Sequence, residues 1–152
     1  MKKIIILIFS LLLVFGLIGY NIIMPEKQPV SNEVINSDIE GVSVKINGIY
    51  TYSDKTTLSV KWINDTKYTL TYGEMYSIER LENGKWVDCS LKDNIFTLLG
   101  YLLEPSKTVD KEYMITDMYD ISKPGKYRFL SHCTLEMPSP KECSLWAEFI
   151  IE

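Results

Sequence analysis

His132 stands between Ser131 and Cys133, and a histidine beside two potential nucleophiles is the natural place to look for covalent chemistry. A Ser-His or Cys-His pair needs the imidazole aimed at the hydroxyl or thiol, whereas consecutive side chains of a strand point to opposite faces. The three neighbours therefore do not form a dyad by themselves. His132 with Cys89, Cys133 and Cys143 is a conceivable zinc set, but structural zinc sites pair their ligands two to four residues apart and these residues do not. Asp88, Asp93, Asp110, Glu112, Asp117 and Asp120 have no spacing that binds two of them to one pocket, and they read as a solvated acidic surface. Asp117 and Asp120 also lack the dense alternating oxygen ligands of a calcium loop. No phosphate-cradling glycine motif is present, so nucleotide binding has no support. No catalytic, metal or cofactor-binding residue is assigned, no cofactor is expected, and the chain is not read as an enzyme.

The segment that would place the chain is at its start. Lys2 and Lys3 precede an apolar run over residues 4–24, interrupted by Ser10, Gly16, Gly19, Tyr20 and Asn21. As a helix it would span about 31 Å, close to the hydrocarbon thickness of a bilayer. Residues 1–24 are thus a signal peptide or a transmembrane anchor, and the missing A-x-A pattern favours the anchor. The two lysines hold the N-terminus inside and send the rest outward, so the expected location is the cell membrane with the domain outside, or the exterior if the segment is cleaved. Residues 25–40 are polar, contain Pro25 and Pro29, lack an apolar period, and read as a flexible tether. Setting aside the two lysines lowers the net charge from -4 to about -6 for the exported part, which argues against nucleic acid and anionic lipid as partners of the domain.

Outside the cytoplasm cysteines can oxidise. Cys133 and Cys143 flank a segment containing Pro138 and Pro140, and a bridge between them would staple a loop joining two strands. The alternative is two free buried thiols. Cys89 is the odd residue, either buried in a strand or the partner of one of the others.

The elements that carry these residues alternate with period two. Val42, Val44 and Ile46 share one face of a first strand, and Leu58, Val60 and Trp62 one face of a second. Asn64-Asp65-Thr66 closes that second strand; it matches a glycosylation acceptor, but turn residues that bond their own backbone are the better reading. A third strand over residues 74–81 enters Glu82-Asn83-Gly84-Lys85, and Asn-Gly is a strong hairpin signal because both residues tolerate positive φ. Trp86 and Val87 lie on the returning strand. Apolar residues 96–103, alternating residues 109–115, a short crossover over 117–122, a strand over 126–133 after Pro124-Gly125, and a last strand over 145–151 complete the chain. Seven or eight short strands in about 110 residues predict an all-β, two-layer sandwich, with a closed barrel as the rival.

The run Tyr72-Gly73-Glu74-Met75-Tyr76-Ser77-Ile78-Glu79 into Asn83-Gly84-Lys85-Trp86, with Leu102-Leu103-Glu104-Pro105 and Pro124-Gly125-Lys126-Tyr127-Arg128-Phe129 later, resembles a family of bacterial immunoglobulin-like (Big-type) domains of small secreted or membrane-attached proteins. The resemblance covers about residues 42–151. It implies an immunoglobulin-like β-sandwich, no settled activity and no catalytic residues; the segment from Cys133 to Cys143 departs from its pattern. Beside it, Trp86 is expected to cover one end of the core, Tyr127 to bond a nearby backbone group as a tyrosine corner, and Gly73 to permit a bulge. Tyr68, Tyr72, Tyr76 and Tyr101 could form an aromatic platform for glycan or peptide, although tyrosines of a sandwich more often face its core.

The function that fits is a non-enzymatic extracytoplasmic module for binding or structural interaction at the cell envelope, engaging an unknown protein or envelope ligand. The alternative is an inhibitor or regulator of an extracytoplasmic protease, with residues 94–96 or 138–141 as the inserted loop.

Overall fold

The structure is a computed structural model describing residues 26–28 and 31–152. The expected N-terminal helix over residues 4–24, signal or anchor, lies outside the described residues; among those described, no helix is long and apolar enough to cross a membrane. The described residues form ten strands: β1 (Glu26–Gln28), β2 (Ser31–Ser37), β3 (Val42–Tyr52), β4 (Lys55–Asn64), β5 (Thr69–Glu82), β6 (Lys85–Asp88), β7 (Gly100–Leu103), β8 (Lys107–Met114), β9 (Gly125–Glu136) and β10 (Lys141–Ile151). They make two antiparallel sheets, one ordered β1-β3-β4-β8, the other β2-β10-β9-β5-β6 with β7 on the same edge of β5 as β6. The inner faces of the two sheets enclose one core, as a sandwich requires.

Alternation builds that core. Leu58, Val60 and Trp62 on β4, Leu70 and Ile78 on β5, Tyr127 and Phe129 on β9, and Leu145 and Phe149 on β10 are all buried. In β3 the pairing shifts register between Ile46 and Gly48, which lets Ile46 and Ile49 both point inward although they are three apart. Trp62 stacks on Tyr72 at 4.3 Å between ring centroids and donates its indole N–H to the Tyr113 hydroxyl at 3.0 Å. Beneath it Tyr76 meets Tyr113, Tyr119 and Phe129 at 4.7, 5.3 and 5.7 Å.

Several expectations are corrected. Much of the stretch read as a tether is sheet: Glu26–Gln28 pair with β3 and Ser31–Ser37 with β10. Their pairing is a backbone affair at sheet edges, which needs no apolar period. The third strand begins at Thr69, earlier than expected, because a register shift between Tyr72 and Tyr76 lets β5 bend and continue. The apolar stretch 96–103 contains one short strand, Gly100–Leu103. Trp86 does not cover the core; it lies half-buried on the outer face, opposite Leu81 and under the Arg128 guanidinium, 4.7 Å from its ring centroid.

Cys133 and Cys143 are disulfide-bonded, with Cα atoms 5.4 Å apart. They sit directly opposite each other on β9 and β10, so the bridge staples the loop that joins these two strands, as expected. In the chain-entropy model closing so short a loop contributes roughly 2.5 to 3 kcal/mol. Cys89 is a free, buried thiol just beyond β6, and burial pushes its pKa up.

Asn64, at the end of β4, is fully buried. Its amide nitrogen donates to the carbonyls of Tyr68, Leu103 and Glu104 at 2.9, 3.0 and 3.1 Å, and its oxygen accepts from the Thr66 amide at 3.2 Å and hydroxyl at 2.7 Å. One side chain thus closes the β4–β5 turn and ties it to the segment joining β7 to β8.

Burial raises the pKa of Tyr72, Tyr76, Tyr113, Tyr119 and Tyr127, with Tyr119 pushed up to about 12. The folded chain therefore keeps phenolic protons where the unfolded chain, titrating near pH 10, loses them. Stability is whole below about pH 10 and is expected to fall as pH rises towards about 12 and beyond. The urea midpoint should drop over that range, with the tyrosinate absorbance of these five residues appearing together with loss of the sheet circular-dichroism signal. Tyrosinate fully developed near pH 10 on an intact sheet would contradict the burial.

Candidate functional site

The segment from Cys89 to Leu99 leaves β6 and crosses towards β7 without regular structure beyond one isolated bridge, Ser90 to Tyr119. Backbone bonds pin its start: Leu91 N–H donates to the Met118 carbonyl at 2.9 Å and Asp120 N–H to that of Cys89 at 2.8 Å. Phe96 turns inward, its ring 5.3 Å from that of Tyr76. At the far end Tyr101 donates its hydroxyl hydrogen to Glu74, whose carboxylate also pairs with Lys111 at 2.7 Å. Lys111 Nζ lies 3.7 Å from the Tyr101 ring centroid, a cation held over an aromatic face. Burial works to raise the Glu74 carboxyl, but the Lys111 ammonium and the Tyr101 hydroxyl together hold it below the ordinary carboxylate range. Lys111 belongs to β8 and Glu74 to β5, so this cluster also ties the two sheets.

Between these anchors the aliphatic side chains face water. Ile95 is 95% exposed and Leu98 99%, with Leu99 also exposed; beyond the loop, Leu102 on β7 and Met75 on β5 are exposed as well. A scattered exposed leucine means little, because folded surfaces are largely apolar; neighbouring ones on an anchored loop are informative. Each leucine left in water forgoes about 1.5 to 3 kcal/mol of burial.

The loop walls an open groove of about 710 Å³ on the outer face of the larger sheet. Its floor is the bend of β5 at Gly73 and the β9–β10 pair at the disulfide, and Asp38, Glu142 and His132 line it with Leu98 and Leu99. His132 is exposed there, its Nδ1 3.2 Å from the Ser144 hydroxyl. Ser131 points the other way, is fully buried, and donates to the Met75 carbonyl at 2.8 Å, while the Cys133 sulfur is bonded to that of Cys143. The three neighbours are thus separated. A second cavity of about 600 Å³ lies at the opposite end, lined by Ile49, Thr56, Ile115, Tyr119 and Ile151 among others.

The remaining positions singled out in the sequence are structural in placement. Asn83 and Gly84 both take positive φ in the β5–β6 turn, 49° and 78°. Tyr127 is buried and donates its hydroxyl to the Lys123 carbonyl at 2.6 Å, just before Pro124 and Gly125 lead into β9. Tyr72 and Tyr76 are core residues, Tyr68 and Tyr101 are half-buried, and no shared exposed platform is formed by the four. Asp88 and Asp120 accept from Ser90 and Ser122, two residues on, as local turn caps. No group of three or more His, Cys, Asp or Glu among the described residues could hold a metal ion. The exposed loop is only half visible in the sequence: residues 94–96 stand out as a loop, whereas Leu98 and Leu99 fall within an apolar stretch whose exposure composition does not reveal.

Residues 38–149, well over half of the chain, match the model of a family described as bacterial Ig-like domain. No curated protein matches the chain.

Proposed function

This chain belongs to the bacterial Ig-like domain family, and from that premise we propose that it is a surface module of the cell envelope whose loop 95–99 engages a partner. The family is generally non-catalytic, a source of binding or structural modules. Membrane attachment with the domain outside is supported by Lys2, Lys3 and the apolar run over residues 4–24, and an oxidising surrounding by the Cys133–Cys143 bridge. The observation that carries the binding reading is the anchored loop that leaves Ile95 and Leu98 almost wholly in water.

A photoreactive phenylalanine analogue in place of Leu98, in the full chain in bacterial cells, tests it. Irradiation should yield a discrete adduct, and the same probe in place of the exposed Asp54, in the β3–β4 turn, should not. No adduct at 98, or equal adducts at both positions, would overturn the reading. Protease inhibition is the second reading, favoured by Ile95 standing out between half-buried Asn94 and Phe96; it requires the adduct to be a protease that the chain slows.

A further inference from the structure

The groove beside the loop says what kind of partner fits, and this step rests on the loop being a binding surface. One wall is aliphatic, Leu98 and Leu99. The other carries carboxylates, Asp38 and Glu142, both exposed. Glu74 is already neutralised by Lys111, and no lysine or arginine is among the described residues lining the groove. An occupant must therefore cover apolar surface and bring positive charge to the opposite rim.

Position narrows the choice further. Glu26 pairs with Thr51, while Asp38 bonds the Ser144 amide and Ile39 the amide of Val42, so the two lie towards opposite ends of β3. At the rise of a strand the groove is roughly 30 Å from the point where residues 1–25 join the domain. A bilayer held close to Glu26 would not reach the groove, and the acidic rim repels anionic headgroups. We infer that the groove accepts a protein segment in which an aliphatic side chain stands beside a lysine or arginine.

The test uses the full chain in phosphatidylcholine nanodiscs, with empty discs as blank, and a fluorescent, end-blocked peptide of sequence Lys-Leu-Lys-Leu-Lys. Saturable binding is expected, weakened about tenfold or more by Leu98→Ser with Leu99→Ser, as loss of leucine burial implies. Glu142→Gln should weaken it less at low salt and make it less salt-sensitive. Peptides with glutamate for lysine, or serine for leucine, should not bind. Absence of binding, equal binding of the glutamate peptide, or indifference to all three substitutions would overturn the inference. So would loop-dependent binding to phosphatidylglycerol vesicles in place of the peptide. If position 98 crosslinks in cells while the peptide fails, the partner chemistry is wrong and the binding module stands; if both fail, both readings fall.

Discussion

Asn64→Ala is expected to destabilise the domain by about 2 to 4 kcal/mol, because the buried Leu103 carbonyl loses its side-chain donor, the half-buried Tyr68 and exposed Glu104 carbonyls lose a bond each, and an unsatisfied buried acceptor costs about 1 to 3 kcal/mol. Those carbonyls, of Tyr68, Leu103 and Glu104, come from two separate segments, so the substitution loosens the β4–β5 turn and the β7–β8 connection at once. Asn64→Asp is the informative companion. It preserves shape and the acceptor for Thr66 but turns oxygens towards three carbonyls, and above the carboxyl's pKa it should be at least as damaging as alanine. Urea unfolding of the two variants reads the effect directly. Against a typical stability of about 5 to 15 kcal/mol the loss is large; one under about 1 kcal/mol for both variants would show that the hydrogen bonds are replaceable by water.

The other large effect belongs to Trp62. It is fully buried, stacked on Tyr72, and bonded to the Tyr113 hydroxyl, so Trp62→Ala removes a side chain that both sheets pack around and should cost about 3 to 5 kcal/mol. Trp62→Phe retains most of the apolar contact and strands the Tyr113 hydroxyl without its indole donor, for a smaller loss of about 1 to 3 kcal/mol. Adding Tyr113→Phe to Trp62→Phe should recover part of that loss, since neither polar partner is then left behind. Denaturation midpoints of the single and double variants measure the coupling, and strict additivity would mean that the hydrogen bond contributes nothing.

What was legible in the sequence is what local physics decides. Asn83 and Gly84 take left-handed backbone because few other residues do so at low cost, and the inward face of β4 follows from the alternation of Leu58, Val60 and Trp62. The bond from Tyr127 to the Lys123 carbonyl spans four residues and is likewise local. Illegible features depend on partners distant in the chain. Trp86 lies on a four-residue strand, whose short pattern does not say which face meets the core. Polar β2 adds to the edge beside β10 through its backbone, a pairing that side-chain type does not announce. The loop that carries the candidate site misled for a further reason: leucine composition records apolarity, not whether a second sheet is there to cover it, and here the inward turn of Phe96 sends its neighbours outward.

The way the chain enters the fold has a mechanical consequence. From Glu26 it first joins the smaller sheet through β1, then the larger through β2, running towards the groove in both. Tension between residue 26 and the groove would act along the strand axes, across hydrogen bonds that lie perpendicular to them. The bonds of β2 to β10 would be sheared as a set and could not unzip in turn, so the domain should resist stretching in this direction more than peeling from its carboxyl end.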